Sequence, residues 1–437
     1  WDIEKLPNIN TDVTISKKRI KETVREVVQE LFKDVKPWND DDVQPYAPSF
    51  NGTYAMGRAN LGQFGDLLDH DVEKFFNHKC PVKIVERPKH STNDERIEDE
   101  SQSWQILGKE DFHRDFNNYR NALFEDIDVR STQGKLIEPV GLLEPLKTRV
   151  ISKGPGVLYW YLRPLQKLMW RTMAKCPVFK FTSEVVSEQG LLDCLGKPIN
   201  YLKKGKYFLS IDYTDASNKM KSWLSNSIVD EICNALKIEK GSKLHTMFRL
   251  SLTGHKFYLY PNPGPDQTRP WVSYNESVHL AKKYLKPKDA KDWIQMLPSL
   301  AELFHQKIGQ LMGSITSFNV LCIGNAAICK LTKEIETGRK QPLKDLPLAI
   351  NGDDGVFPTN ELGDIAWQRI ASYCGLLPSP GKIIRSQSML NMNSTLYMVK
   401  DYEYCHIGQL NFGLITGQSR SRPPGDIMKG IPARFKV

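Results

Sequence analysis

The feature that most constrains this chain is the run from Leu348 to Phe357, in which two adjacent aspartates follow a glycine between two apolar stretches. The run predicts a tight turn between two short buried strands, because strand residues alternate faces and glycine accepts the backbone angles of a hairpin tip. The carboxylates of Asp353 and Asp354 would repel each other there, which raises their pKa. A divalent cation, Mg²⁺ or Mn²⁺, would relieve the repulsion. An ordinary exposed turn is the alternative.

The composition is that of a globular protein with a phosphate-rich partner. The chain has 437 residues, enough for two or three substructures, and its net charge of +9 favours such a partner without requiring one. No apolar run approaches the roughly 18 residues that cross a bilayer, so we expect no transmembrane segment and no signal peptide. The eight cysteines form no Cys-x-x-Cys pair and no zinc spacing, which predicts buried thiols in a reducing compartment.

Hydrophobic periodicity predicts several elements of the fold. An amphipathic helix is expected over 15–35, a buried strand over 207–211, a hairpin near 256–274 and a second helix over 316–336. The polar and acidic stretch 87–103 is expected to be a mobile surface segment.

A third acidic residue, Asp212, stands at the end of the predicted strand 207–211. Two strands side by side would bring Asp212 close to Asp353. Nucleotidyl transfer needs such an arrangement, with two metal ions roughly 3.5–4 Å apart that activate the attacking hydroxyl and steady the leaving pyrophosphate. The alternative is that Asp212 caps the following helix.

A glycine-hydroxyl loop, 312–318, precedes the predicted helix that reaches Asn325. Backbone N–H groups and short side chains at the start of a helix can bind a template and a ribose. Gly313 and Ser317 are the candidates here. The alternative is a simple helix cap by Ser314 or Thr316.

Two basic features complete the pattern. Lys147 and Arg149 alternate on a predicted strand that continues to Lys153, and cations on one strand face can clamp a triphosphate. Lys382 follows a Pro/Gly turn beyond the aspartate pair and could protonate pyrophosphate as it leaves. A solvated strand face and an exposed loop lysine are the alternatives.

The order of these features resembles the palm of viral RNA-dependent RNA polymerases. The Met-Gly-Ser-x-x-Ser-Phe form is most similar to the levi-, narna- and ourmia-like branch of positive-strand RNA viruses, and the resemblance covers roughly 140–400. The segments that match are 144–153 for motif F, 210–218 for motif A, 312–318 with Asn325 for motif B, 351–354 for motif C, 375–382 for motif D and, more weakly, 393–397 for motif E.

The resemblance implies a right-hand α/β fold with an α+β palm, fingers and a short thumb. The implied boundaries are 1–205 for fingers with an N-terminal extension, 206–235 for palm, 236–300 for an insertion, 301–398 for palm and 399–437 for a short or truncated thumb.

The resemblance also implies template-directed RNA synthesis. Asp212 and Asp353 would bind two Mg²⁺ or Mn²⁺ ions, with Asp354 assisting. The implied partners are template and nascent RNA, nucleoside triphosphates and further host or viral subunits, and the implied location is the host cytoplasm or an organelle.

The resemblance divides the substrate contacts among the remaining residues. Lys147, Arg149 and Lys153 would hold the triphosphate, and Lys382 would be the general acid. The residues that would line the ribose pocket are Asn218, Ser317 and Asn325.

One position departs from the family pattern. Relatives carry an aspartate six residues after the first motif A aspartate, and this chain has Asn218 there. An amide both donates to and accepts from a hydroxyl, so we expect ribose selection to persist, with Asp215 sharing the role. The loop also has Ile315 where proline is frequent.

Three other interpretations stay open at this point. A reverse transcriptase would have Tyr-x-Asp-Asp at the hairpin and a bulky aromatic residue after the first aspartate, whereas this chain has Asn351-Gly352 and small residues at 216 and 217. A non-catalytic RNA-binding protein that keeps the palm should have lost metal ligands. A basic structural protein of unrelated fold is the third interpretation.

Overall fold

The protein is an α/β protein, as the sequence predicts. The computed structural model describes residues 3–4, 15–44, 46–49, 51–55, 57, 61–69, 117–118, 120–121, 135–144, 147–266, 268–272 and 274–408. The predicted mobile segment 87–103 and most of the predicted thumb lie outside these ranges. No helix in the described ranges is long and apolar enough to cross a membrane.

Helices and strands alternate irregularly along the chain. The helices are Lys17–Phe32, Gly62–Asp69, Gly156–Tyr161, Arg163–Met173, Glu188–Leu195, Ile199–Leu202, Ala216–Lys219, Ser222–Ala235, Lys243–Thr253, Tyr274–Tyr284, Pro287–Met296, Ser317–Thr337 and Glu361–Tyr373. The strands are Ile3–Glu4, Ile15–Ser16, Glu138–Glu144, Lys147–Lys153, Tyr207–Ile211, Tyr213–Thr214, Lys256–Pro261, Trp271–Val272, Glu302–His305, Ala349–Asn351, Asp354–Thr359, Leu377–Pro378, Ile384–Ser386, Met389–Met392, Thr395–Val399 and Tyr404–His406.

A four-stranded antiparallel sheet, here called the central sheet, forms the middle of the fold. Its strands lie in the order Ala349–Asn351, Asp354–Thr359, Tyr207–Ile211 and Ile384–Ser386. The first two strands form the predicted hairpin, here called the GDD hairpin, with Gly352 and Asp353 at its turn. The predicted strand 207–211 is confirmed and is one of the two inner strands.

The central sheet is buried on both faces because successive residues point to opposite sides. Leu209 and Ile211 belong to the larger apolar cluster, which the helices line. Phe208, which points to the opposite face of the same strand, belongs to a second cluster with Leu390 and Tyr397 from the neighbouring sheet. Burying each such side chain contributes about 2 kcal/mol. A sheet enclosed in this way is a rigid support for whatever lies at its ends.

Two helices hold the larger cluster together. Ser317–Thr337, here called the long helix, confirms the predicted helix over 316–336 and is buried along nearly its whole length. Lys17–Phe32, the N-terminal helix, is capped by Ser16, whose hydroxyl accepts from the backbone N–H of Arg19. It packs against the long helix, which confirms its prediction as a structural amphipathic helix.

Ion pairs fix the N-terminal helix to the long helix and to the chain beyond it. Arg19 pairs with Glu334, and Glu26 lies 3.3 Å from the ammonium of Lys330. Glu30 accepts hydrogen bonds from the backbone N–H groups of residues 343 and 344 at 2.6 Å and 2.9 Å. The first segment of the chain is therefore an integral part of this packing.

Two smaller sheets extend the fold. The strands Lys256–Pro261 and Trp271–Val272 pair as the predicted hairpin, and Glu302–His305 adds a third strand. A second three-stranded sheet joins Met389–Met392, Thr395–Val399 and Tyr404–His406. This sheet crosses the boundary predicted between palm and thumb at residue 398.

The cysteines of the described ranges are free thiols. Six of them are buried and Cys405 is partly exposed. Burial raises the pKa of Cys322 to about 12, so the thiol stays protonated at neutral pH. This agrees with the prediction of buried thiols.

A buried ion pair offers a test of how the long helix is held to the central sheet. The Lys333 ammonium donates to Glu336 at 2.5 Å and to the carbonyl of Pro358 at 2.7 Å. Glu336→Leu would leave Lys333 buried without its carboxylate, and we expect it to lower the free energy of unfolding by about 3–5 kcal/mol in urea denaturation.

The matched control, Lys333→Met with Glu336→Leu, removes the buried ammonium together with its carboxylate. Both variants lose the contacts of Glu336 with Lys206 and Thr359, so they differ only in the charge at residue 333, and we expect the double variant to recover most of the loss. Equal stability of the single and double variants would contradict the assignment of the loss to an uncompensated buried charge.

Candidate active site

Three carboxylates meet at one end of the central sheet. Gly355 pairs with Ile211 in antiparallel register, so Asp354 and Asp212 occupy the next positions on neighbouring strands. Asp353 is exposed at the turn between the two hairpin strands. The order of the motifs predicts that Asp212 lies near the aspartate pair. The pairing of Gly355 with Ile211 brings these residues to the same end of the sheet. Asp212, Asp353 and Asp354 are called the carboxylate cluster below.

Burial and neighbouring negative charges both disfavour the ionised form of Asp354. Burial, followed by the negative charges of Asp353 and Asp212, raises the pKa of Asp354 to about 7. The Lys382 ammonium opposes part of this rise. The turn thus differs from an ordinary exposed turn at Asp354, which is largely buried beside two other carboxylates, whereas Asp353 is exposed.

Lys382 lies beside the cluster, as its position after the aspartate pair predicts. Its Nζ is 3.4 Å from Oδ1 of Asp212. Two contacts bring it there: the strand Leu377–Pro378 pairs with Tyr213–Thr214, and the backbone N–H of Ser379 donates to the carbonyl of Asp212 at 2.9 Å. Lys382 is itself exposed, so it can reach both the cluster and solvent.

The cluster fits a divalent cation in chemistry and charge. Three carboxylates are the hard oxygen ligands that Mg²⁺ and Mn²⁺ prefer, and a bound cation would remove the repulsion at Asp354. Within the described ranges, however, no three His, Cys, Asp or Glu side chains are arranged so that they could hold a metal ion. The binding of two ions therefore stays a prediction.

Asp212 does not cap a helix, which was the alternative for this residue. The next helix begins at Ala216, and the residue before it, Asp215, makes no side-chain cap. Asp215 is exposed in a left-handed conformation and lies 3.6 Å from Lys219. The structure gives Asp215 no contact with the carboxylate cluster.

Residues 309–316, here called the glycine loop, run alongside the end of motif A. Met312 donates its backbone N–H to Oδ1 of Asn218 at 3.2 Å, and Gln310 donates to the carbonyl of Ser217 at 2.8 Å. Asn218 thus links motif A to the loop through its side-chain oxygen. Its amide Nδ2 makes no hydrogen bond within the described part of the chain.

The hydroxyls of Ser314 and Thr316 in the glycine loop are hydrogen-bonded to Ser251. The Ser314 hydroxyl donates to the carbonyl of Ser251, and the Thr316 hydroxyl lies 2.9 Å from that of Ser251. The long helix has no side-chain cap at Thr316. The alternative of a simple helix cap by Ser314 or Thr316 is therefore wrong.

The predicted basic strand joins the same site through its backbone. Lys147–Lys153 pairs with Glu138–Glu144, and Ser152 donates its backbone N–H to the carbonyl of Met312 at 2.7 Å. The Lys153 ammonium lies 3.0 Å from Glu138. The side chains of Lys147 and Arg149 lie outside the described part of the chain, so only their strand position is known.

A small cavity of about 200 Å³ lies where these three segments meet. Its walls are mostly apolar, and Ser152 and Asn218 contribute polar groups. Besides the basic strand, Asn218 and the glycine loop, the cavity is lined by Ile137, Pro139 and Phe257 from neighbouring segments.

Asn325, which the resemblance places in the ribose pocket, is buried and bonded to the protein in this structure, and its ribose contact stays a prediction. Its side chain is 0% exposed and lies beneath the GDD hairpin. Its Oδ1 accepts from the Tyr213 hydroxyl at 2.8 Å, and its Nδ2 donates to the carbonyl of Gly352 at 3.0 Å. Ser317 is buried at the start of the same helix. Helix periodicity turns Asn325 toward the hairpin, where its amide bonds to the Gly352 carbonyl.

Sequence analysis missed the residues that support the GDD hairpin. Cys322 accepts from the backbone N–H of Gly352 at 3.2 Å, and Trp367 donates to the Tyr213 hydroxyl at 3.0 Å. Helical spacing could have predicted part of this support, because residues 318, 322 and 325 share one face of the long helix. Trp367 comes from another helix, and no local pattern connects it to the site.

A glycine substitution tests the contact between the basic strand and the glycine loop. Gly313 has φ +113°, and a Cβ there would lie 2.2 Å from the carbonyl oxygen of Ser152. We expect Gly313→Ala to separate the two segments and to accelerate hydrogen exchange of the Ser152 amide, read by mass spectrometry.

The matched control is Gly205→Ala. Gly205 has φ +68° with open space around the Cβ position, so alanine there meets only the backbone strain of about 1–2 kcal/mol. Equal exchange at Ser152 in both variants would show that the close approach does not depend on Gly313.

Comparison with known proteins finds sequence similarity to one curated protein and fold similarity to several solved structures. No family model matches the chain. The RNA-dependent RNA polymerase of Ourmia melon virus (isolate Melon/Iran/VE9) is 29% identical over 278 residues. The match covers 63% of this chain and 29% of that protein, so the chain spans less than a third of the relative's length.

Similar solved structures include the crystal structure of the RNA-dependent RNA polymerase of a human picorbirnavirus, with a TM-score of 0.43, 11% identity and coverage of 63% of this chain and 45% of that chain. An insertion loop deletion mutant of that polymerase gives a TM-score of 0.41, 12% identity and coverage of 63% and 46%. The sequence match to the Ourmia melon virus protein confirms the resemblance to viral RNA-dependent RNA polymerases that the motifs predict.

Proposed function

We propose that this chain carries the catalytic palm of the RNA-directed RNA polymerase of a positive-strand RNA virus and performs template-directed nucleotidyl transfer. The observation that carries the proposal is the meeting of Asp212, Asp353 and Asp354 at one sheet end, with the Lys382 ammonium 3.4 Å from Asp212. The sequence match to a viral RNA-dependent RNA polymerase supports it.

The carboxylate cluster would hold the metal ions of the reaction. Asp212 and Asp353 are the proposed ligands of two Mg²⁺ or Mn²⁺ ions, and Asp354 assists. When bound, the two ions would lower the pKa of the attacking 3′-hydroxyl and stabilise charge on the leaving pyrophosphate. The protein supplies the fixed separation of the carboxylates, which the two strands and their register set.

Lys382 is the proposed general acid. A protonated ammonium beside Asp212 can donate a proton to the pyrophosphate oxygen as the P–O bond breaks. The basic strand, with Lys147, Arg149 and Lys153, would hold the triphosphate. The backbone contact of this strand with the glycine loop supports that role, since Ser152 bonds to Met312, which in turn bonds to Asn218.

Asn218 is the proposed ribose-sensing residue. Its Oδ1 is held by the backbone N–H of Met312, which fixes the orientation of the side chain. Its Nδ2 makes no hydrogen bond within the described ranges and can donate to a ribose hydroxyl. This assignment distinguishes ribonucleotide from deoxyribonucleotide incorporation, and it leaves Asp215 a minor role because that side chain is exposed.

The proposed partners are template RNA, nascent RNA and nucleoside triphosphates, with further host or viral subunits. The net charge of +9 supports a polyanionic partner. The free buried thiols support a reducing compartment, and we propose the host cytoplasm or an organelle with that property.

Loss of a metal ligand gives the first test of the mechanism. We expect Asp353→Ala to lower primer extension roughly a thousandfold, because the ions supply several kcal/mol of transition-state stabilisation. The control is Asp401→Ala, at an exposed aspartate of a distant turn. Undiminished RNA synthesis by Asp353→Ala would contradict the two-metal mechanism.

Removal of the general acid gives the second test. We expect Lys382→Leu to reduce the rate of nucleotide addition about 100-fold, the lower end for general acid catalysis, with nucleotide KM nearly unchanged. The matched control is Lys400→Leu, since Lys400 is also an exposed lysine paired with a carboxylate, 3.0 Å from Glu403. A rate equal to that of the parent chain would exclude Lys382 as the acid.

A further inference from the structure

A continuous line of buried hydrogen bonds runs beneath the carboxylate cluster. Trp367 donates to the Tyr213 hydroxyl, Tyr213 donates to Asn325, and Asn325 donates to the carbonyl of Gly352. The backbone N–H of Gly352 in turn donates to the sulfur of Cys322. These five residues are called the relay below. All of them are buried, and every donor in the line has an acceptor.

We infer that Tyr213 and Asn325 are positioning residues that set the separation of Asp212 from Asp353. Tyr213 is the residue directly after Asp212, and Gly352 is the residue directly before Asp353. Each proposed metal ligand is therefore the chain neighbour of a relay residue, and the Cα atoms of such neighbours lie about 3.8 Å apart. The inference rests on the proposed function, because it concerns the same carboxylates.

The relay holds the tip of the hairpin at Gly352. Strand pairing in the GDD hairpin ends at Asn351 and Asp354, and Gly352 is the first residue of the turn between them. Both backbone polar groups of Gly352 are bonded to the long helix, through Cys322 and Asn325. The φ of +67° at Gly352 would strain any other residue, and a Cβ there would lie 3.1 Å from the Phe318 ring, which is a tight contact.

The other end of the relay is held equally firmly. The Tyr213 hydroxyl lies between Trp367 and Asn325, which belong to two packed helices. The Tyr213 and Trp367 rings also pack together, with centroids 5.7 Å apart. The line therefore joins the end of the Tyr207–Ile211 strand, two helices and the GDD turn. Hydrogen bonds in such a buried setting are stronger than at the surface.

The kinetic consequence follows from the geometry. Catalysis by positioned groups is sensitive to small displacements, and a shift of about 1 Å can cost about 100-fold in rate. Loss of the Tyr213 hydroxyl breaks its two relay bonds, to Trp367 and to Asn325, but leaves both bonds to Gly352 in place, so it should allow a smaller shift of the turn. We expect Tyr213→Phe, which removes only the hydroxyl, to lower kcat about 10-fold while the nucleotide KM changes less than about twofold.

The matched control is Tyr404→Phe. Tyr404 is as buried as Tyr213, and its hydroxyl donates a hydrogen bond of 3.0 Å to the carbonyl of Gly196. It belongs to the second apolar cluster and touches no part of the relay. Both variants lose one buried hydroxyl, so a merely structural loss would affect the two alike. We expect kcat to fall in Tyr213→Phe alone.

A second pair of variants tests the other end of the relay. Cys322→Ala removes the acceptor of the Gly352 N–H, and Cys322→Ser keeps an acceptor at nearly the same place. We expect amide hydrogen exchange over 349–357 to accelerate at least about fivefold in Cys322→Ala and in Tyr213→Phe. It should stay near the parent rate in Cys322→Ser and in Tyr404→Phe.

The exchange measurement separates this inference from the proposed function. It needs no RNA synthesis, so a parent chain that makes no RNA would refute the proposed function and leave the exchange result to decide the inference. Equal exchange over 349–357 in Tyr213→Phe and Tyr404→Phe would overturn it. So would an equal kcat of these two variants when the parent chain is active.

Discussion

The mutual repulsion of three carboxylates at the end of a buried sheet is the constraint on which the rest of this structure depends. Antiparallel register brings Asp354 beside Asp212, and the turn adds Asp353. Burial and the neighbouring charges raise the pKa of Asp354 to about 7, which is unfavourable for a protein without a cation there. The rest of the sheet must therefore be stable enough to hold these groups together.

The long helix supplies much of that stability because each of its faces has a different partner. Phe318, Cys322 and Asn325 face the GDD turn. Lys330 and Glu334 face the N-terminal helix, where Arg19 and Glu26 complete the ion pairs. Farther along, Lys333 and Glu336 reach the strand Asp354–Thr359 through the carbonyl of Pro358 and the hydroxyl of Thr359. One helix thus connects the GDD turn to the N-terminal helix and to the strand Asp354–Thr359.

The parts of this fold that sequence could predict are those set by local pattern. Alternation marked the strand 207–211, the glycine between apolar stretches marked the GDD hairpin, and helical spacing marked the long helix within a residue at each end. The register of two strands distant in sequence could not be read locally. This pairing could be inferred only from the order of the motifs, which requires Asp212 and the aspartate pair to lie at one metal site.

The roles of individual polar residues were harder to predict because they depend on which way a buried helix faces. Asn325 follows the glycine loop in sequence, which suggested a contact with ribose, but two turns of helix carry it beneath the hairpin. Ser314 and Thr316 suggested a cap, and both hydroxyls bond to Ser251 instead. A polar side chain in a helix buried on all sides must find a partner inside the protein. The polar residues of the long helix therefore mark the elements that it holds in place, and two of them, Cys322 and Asn325, mark the turn that presents the carboxylates.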